Sequence, residues 1–340
     1  MKVRKETCGS FYNQRIIKTV LTNTNGMSVC LLNLGGIITE MWVPNEDGEL
    51  KDVVLGPKTI QGYINDPHYF GACIGRVANR IENAQFTLDD ETIKVNGNAY
   101  SGKHCVHGGR FGYHRRVWEI TRTGETQEGV FVVLSLFDQD GEEGFKHSVW
   151  IEATYTLDNN NRLTLRFDAK SDRKSPISLT AHSYFNLFGH DYGSIGDHEL
   201  KIYAQKLLQQ KEDRIPNGEL VPVEGSEFDF TQMTSLKRTT TSQVDINHSY
   251  QIESPKLQKV AELKGGGLRL ELYSNESTLH FYNGHNLNGI QGKGSIAYDK
   301  FAGLCLEPKG YVNSVNIPHF PTTYVDKDNP YTHEIIYQFS

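Results

Sequence analysis

From Ile16 onward, apolar and polar residues alternate with period two in short runs, and stretches with apolar residues at i, i+3, i+4 and i+7 are hard to find. This pattern predicts strands. Residues 27–34 and 36–43 read as strands parted at Gly35-Gly36, the second running into the turn-rich Pro44-Asn45-Glu46-Asp47-Gly48. Val53-Val54-Leu55 reads as a short strand stopped by Gly56-Pro57. Residues 85–97 read as a hairpin about Asp89-Asp90, and 117–137 as two strands broken at Gly124. The clearest hairpin covers 149–168. Ile151, Ala153, Tyr155 and Leu157 alternate with polar residues, Asn159-Asn160-Asn161 makes the turn because Asn tolerates positive φ, and Leu163, Leu165 and Phe167 alternate back. A last strand covers 334–339.

Strands at this density, with 32 glycines in 340 residues and no intervening helices, point to stacked antiparallel sheets. No Pro/Ser-rich linker, compositional shift, repeat or low-complexity segment divides the chain. Residues 1–340 are therefore expected to form a single all-β domain, a large β-sandwich. Sandwich faces and dimer faces share the same alternation, so monomer and homodimer are both open.

The formal charge is -6 and the pI about 6.1, with the two signs interspersed. No basic block could follow a phosphate backbone, which excludes nucleic acid as a partner. The five cysteines are far apart and form no CxxC pair, which argues against a disulfide framework or a zinc site and fits reduced thiols in the cytoplasm. The start Met-Lys-Val-Arg-Lys-Glu is basic like a signal peptide's, but Asn13, Gln14 and Arg15 follow and no apolar region does. Nothing approaches the ~18 consecutive apolar residues of a membrane span.

Candidate chemistry centres on residues 301–311. The apolar run Phe301, Leu304, Leu306 carries Glu307 to its end, and Pro308 is expected to stop the strand there. Between Leu306 and Pro308 the carboxylate is poorly solvated, a setting that suits a general base; a surface or ion-paired Glu is the alternative for this segment alone. Three further clusters accompany it. Gly75-Arg76-Val77-Ala78-Asn79-Arg80-Ile81 sets Arg76 and Arg80 among small and apolar residues, either as structural ion pairs or as donors to ligand hydroxyls. Val106-His107-Gly108-Gly109 places a histidine before glycines that let backbone approach a ligand closely. Residues 179–187 form a strand-like run with His182 in its middle, readable also as a core imidazole. HExxH, GxGxxG after a strand, GxxxxGK[ST] and GxSxG are all missing. One carboxylate, two histidines and polar donors remain, the equipment for proton transfer without a cofactor.

At these residues the chain resembles the aldose 1-epimerases, the galactose mutarotase family. The resemblance runs through Asn33-Leu34-Gly35-Gly36, Asp52-Val53-Val54-Leu55-Gly56, residues 70–81, residues 106–109 and Asp140-Gly141-Glu142-Glu143-Gly144. It continues through His182-Ser183-Tyr184-Phe185-Asn186-Leu187, residues 213–223, Phe281-Tyr282, Leu306-Glu307 and Pro318-His319-Phe320-Pro321. It implies the mutarotase β-supersandwich, a monosaccharide substrate such as galactose or glucose, and no cofactor or metal. It also implies Glu307 as general base, His182 as the imidazolium acid, and His107, Arg80 and Asn79 as sugar-binding residues.

Two departures surround the same pocket. Where the family has Gly-[Phe/Ile/Tyr]-Asp-His, this chain has Asp245-Ile246-Asn247-His248, so the position expected to bind sugar hydroxyls carries an amide. After Glu307, Thr-Gln-His-Phe-Pro-Asp-Ser is replaced by Pro308-Lys309-Gly310-Tyr311-Val312-Asn313-Ser314, and His280 stands where Gln is common. Asn247 and His280 join the expected binding set. Two other functions compete: a sugar-binding protein without turnover, and a hexose 6-phosphate epimerase recruiting Lys309, Arg110 and Arg115.

Overall fold

The computed structural model describes residues 1–254 and 256–340. Among them strands dominate, and the two α-helices, Ile60–Ile64 and Lys237–Thr241, are one turn each. The largest sheet has nine strands in the order Glu119–Glu125, Gly129–Asp138, Val149–Asp158, Arg162–Ser171, Tyr331–Phe339, Leu268–Ser274, Gln258–Gly265, Glu199–Ile202 and Thr234–Ser235. A six-stranded sheet runs Tyr184–Phe185, Leu304–Lys309, Thr278–Tyr282, Asn247–Gln251, Lys206–Gln210 and Pro216–Pro222. A five-stranded antiparallel sheet from Lys2 to Asp52 joins neighbouring strands in chain order.

The core lies where these sheets face each other. Ile151, Ala153, Tyr155 and Leu157 alternate inward from the nine-stranded sheet and meet Leu279, Phe281, Leu304 and Leu306 from the six-stranded one. Fully burying each large apolar side chain stabilises the fold by about 1.5–3 kcal/mol, so the period-two alternation is the principal force setting the layers. The hairpin at 149–168 is present, with Val149–Asp158 paired to Arg162–Ser171 and Asn161 at φ 57° in its turn. So is the hairpin at Asp89-Asp90, whose φ values of 48° and 67° are those a two-residue turn of matching twist requires.

Several boundaries differ from expectation. Leu304–Lys309 continues through Pro308, so Glu307 sits inside the strand and not at its end. On one side this strand pairs with Thr278–Tyr282 from Cys305 to Lys309; on the other it pairs with Tyr184–Phe185 at Cys305 and Leu304. Beyond Cys305 that second edge has no strand partner among the described residues, the condition under which a strand tolerates proline. Gly124 lies within Glu119–Glu125, and the break falls after it. The second early strand starts at Ile38, Leu50–Asp52 is the short strand expected at 53–55, and the last strand begins at Tyr331. His182 lies between the two-residue strands Thr180–Ala181 and Tyr184–Phe185, off the ladder on both sides. The strand Lys2–Phe11 was not expected at all. Among the described residues no helix is long and apolar enough to cross a membrane.

Candidate active site

Three adjacent strands of the six-stranded sheet build one wall of the site. His280 lies directly opposite Glu307, and Ser249 directly opposite His280. Because successive side chains alternate, Leu304, Leu306, Leu279 and Phe281 enter the core while Glu307, Lys309 and His280 share the other face. His280 is held on both nitrogens, by Ser249 Oγ at 2.9 Å and Asn247 Oδ1 at 3.0 Å.

The facing wall comes from loops joined by a two-residue ladder, Arg80–Ile81 against Cys105–Val106. Just beyond it, the His107 backbone N–H donates to Asn79 O at 2.9 Å and the Asn79 N–H donates to His107 Nδ1 at 3.3 Å. Arg80 Nη1 donates to Asn79 Oδ1 at 2.9 Å. Tyr69, Asn79 and His107 all have φ near 60°, a region costly for bulky residues and held here by the surrounding contacts. The glycines after His107 pack closely against other parts of the chain. A Cβ on Gly108 would lie 1.9 Å from Gly75 O and one on Gly109 2.2 Å from Glu143 Oε2, so both permit chain packing behind the cleft.

Between these walls lies a cleft of about 250 Å³. It brings together the seven residues expected to catalyse or to bind the sugar: Asn79, Arg80, His107, His182, Asn247, His280 and Glu307. Tyr69 and Arg214 also line it, unforeseen. The Tyr69 ring centroid is 4.6 Å from that of His107 and 5.8 Å from that of His182, forming an aromatic wall. Arg214 is ion-paired with Asp245, the residue standing at the family's glycine position. Arg76, by contrast, is a structural residue: its guanidinium binds Asp138 through Nε at 2.8 Å and reaches the Lys146 and His147 carbonyls, away from the cleft. Arg110 and Arg115 do not line the cleft either.

The electrostatics follow from burial. Glu307 Oε1 lies 3.4 Å from His182 Nε2, and Oε2 accepts from Lys309 Nζ at 3.0 Å. His182 Nδ1 faces Cys305 Sγ at 3.5 Å. Burial lowers the proton affinity of His182; Glu307 opposes this and Lys309 reinforces it. His107 is pushed well down by burial, then by His182 and Lys309, and His280 by burial, then by Lys309 and Arg80. Arg80 is lowered to about 10 by burial and the neighbouring Arg214. The expected imidazolium is therefore not the resting form of His182 at neutral pH. His182, Cys305 and Glu307 each have a donor atom within 4.8 Å of the others'. Yet Cys305 and Glu307 face opposite nitrogens of one ring and Lys309 already holds the carboxylate, an arrangement ill suited to ligating one ion.

The aldose 1-epimerase family model matches residues 18–338. A galactose mutarotase of Sus scrofa is 34% identical over 323 residues, covering 92% of this chain and 91% of that protein. An aldose 1-epimerase of Escherichia coli K12 is 30% identical, with 88% of each covered. A crystal structure of a GalM/aldose epimerase homologue from C. elegans superposes with TM-score 0.86 at 26% identity, over 94% of this chain and 98% of that one. An antiparallel sandwich of this topology, matched along nearly its whole length, makes this chain a member of the aldose 1-epimerase family with the galactose mutarotase-like fold.

Proposed function

We propose that the protein is an aldose 1-epimerase that interconverts the α and β anomers of a free hexose by opening and reclosing the ring, with galactose or glucose as substrate. The observation that carries this reading is the opposition of Glu307 and His182 at 3.4 Å in a buried polar cleft. Glu307 takes the proton of the C1 hydroxyl while His182 gives one to the ring oxygen. The C1–O5 bond breaks, the aldehyde turns about C1–C2, and the reverse transfers close the ring on its other face. Each positioned proton transfer contributes roughly 10²–10⁴ in rate.

The pair must carry one proton to start, with Glu307 anionic and His182 cationic. Burial of His182 makes that form scarce at neutral pH, while the facing Glu307 carboxylate favours it. His107, Arg80, Asn79, Asn247 and His280 are assigned to the sugar hydroxyls, since they converge on the same cleft. The cleft lies below the ~300–1,000 Å³ of drug-sized pockets, which suits a monosaccharide. The five free thiols fit a cytoplasmic location. The phosphate reading loses its support, because Lys309 is wholly buried against Glu307 while Arg110 and Arg115 lie outside the cleft.

Polarimetry on freshly dissolved α-galactose, α-glucose, xylose, arabinose and glucose 6-phosphate tests the proposal. Faster mutarotation of a free hexose is expected. Saturable sugar binding without any acceleration would make this a binding protein on the same fold.

A further inference from the structure

The Glu307–Lys309 pair is unusual for its burial. Both side chains are essentially without solvent contact, at 1% and 0% exposure, and Nζ lies 3.0 Å from Oε2. Two residues apart on one strand, they point to the same face. Among the described residues, Lys309 Nζ makes one hydrogen bond, to Glu307 Oε2. Lys309 does not line the cleft, whereas Glu307 does, with Oε1 toward His182. The ammonium thus stands behind the carboxylate, out of reach of a sugar. It occupies one oxygen and leaves the other to the cleft.

We infer that Lys309 is a positioning residue for ring opening: its buried ammonium holds one oxygen of Glu307, fixes the rotation of that carboxylate, and sets a positive charge behind the facing imidazole. This rests on the epimerase reading for its chemistry but on the ion pair for its physics. A carboxylate with one oxygen charge-paired cannot swing, so Oε1 stays aimed at the C1 hydroxyl. A positive charge close by disfavours a second one on the imidazole, so protonated His182 becomes a stronger acid toward the ring oxygen. Lys309 acts on His182, His107 and His280 in the same direction.

Other charges face this pair. Arg80, Tyr184 and Tyr337 lie within electrostatic range of Glu307, from the loop wall, the neighbouring strand and the nine-stranded sheet. Cys305 and Glu276 lie within range of Lys309. Glu276 is itself buried and bound by Tyr331 Oη at 2.8 Å, and burial raises its proton affinity. None of these replaces the direct contact to Oε2.

Lys309→Gln, which installs the residue of the family pattern, tests the inference through the pH dependence of kcat/KM. The alkaline limb, set by His182, is expected to move toward higher pH, by about one unit, with KM at the optimum changed less than about threefold. A uniform loss of rate with unmoved limbs would reduce Lys309 to a structural residue. NMR titration of the His182 imidazole reads the same effect without turnover: its midpoint should rise in Lys309→Gln relative to the parent protein. If the parent turns over no sugar in the panel, the epimerase reading fails while this titration still decides the fate of Lys309; an unmoved midpoint overturns the inference. Lys309→Met, similar in length and uncharged, serves as the second variant in both measurements.

Discussion

His280 Nε2 and Asn247 Oδ1 lie 3.0 Å apart, on paired strands of the sheet that carries Glu307. The two positions that depart from the family pattern in these strands are thus in contact, and their hydrogen bond uses the amide oxygen. A carboxylate placed at 247 would bind His280 and draw a proton onto it before it bound a sugar. Asn247→Asp alone is therefore expected to change KM for galactose or glucose by less than about threefold, whereas Asn247→Asp with His280→Gln should lower it about five- to tenfold at similar kcat, as expected of a charged acceptor free to meet sugar hydroxyls. Steady-state kinetics on the four proteins of this cycle measures the coupling; additive effects would place the two residues in separate contacts.

Glu307→Gln should lose about 10²–10⁴ in kcat, because an amide cannot accept the C1 hydroxyl proton. It should also be less stable than its shape suggests. Removing one partner of a buried ion pair typically costs about 3–5 kcal/mol, partly relieved here if Lys309 gives up its proton. The double variant Glu307→Gln/Lys309→Gln is expected to regain most of the lost stability and none of the activity. Denaturant melts beside polarimetry separate the two effects.

His182→Asn should lower kcat more than it raises KM, since protonation of the ring oxygen develops in the transition state. The alkaline limb of the parent kcat/KM profile should fall below the ordinary imidazole range, because burial of His182 lowers its proton affinity. Activity then rises as pH is lowered from 8 through neutrality. A rate that climbs with pH across that window would assign the acid to another group.

Acid should unfold the protein through buried histidines that do not line the cleft. His333, between Leu179 O and Ser274 Oγ, is pushed down to about 3 by burial, His114 to about 3 and His198 to about 4. All three are neutral in the fold and bind protons in the unfolded chain below its ordinary imidazole value, near 6.5. Their contribution is present above that value and is lost as pH falls toward about 4 for His198 and about 3 for His333 and His114, with a slope of up to about 1.4 kcal/mol per pH unit for each. Thermal melts at pH 7 and pH 5 should show the loss, and His333→Gln should make its slope shallower.

What the sequence disclosed depended on how far each contact reached along the chain. The hairpin at 149–168 was legible because alternation and turn residues are local. The strand Lys2–Phe11 was not, since most of its residues are exposed and an edge strand solvated on both faces has no alternation to read. Pro308 misplaced the end of the strand bearing Glu307, because a proline's meaning depends on whether that edge has a partner. Asn79, Arg80 and His107 were found as separate motifs, yet a two-residue ladder joins them, too short to leave a periodic signal. Lys309 is the clearest case: a strand lysine reads as a solvated one, and only the carboxylate two residues away explains its burial.

The alternation that puts Glu307, Lys309 and His280 on one face, with Leu304, Leu306, Leu279 and Phe281 on the other, also bears on how faithfully the sheet assembles. Were Leu304–Lys309 to dock with its faces exchanged, two charges would enter the hydrocarbon core and two leucines would enter the polar cleft. Such a mispaired sheet would bury charge in hydrocarbon, so Glu307 and Lys309, the charged pair of the cleft wall, also specify which face of their strand turns inward.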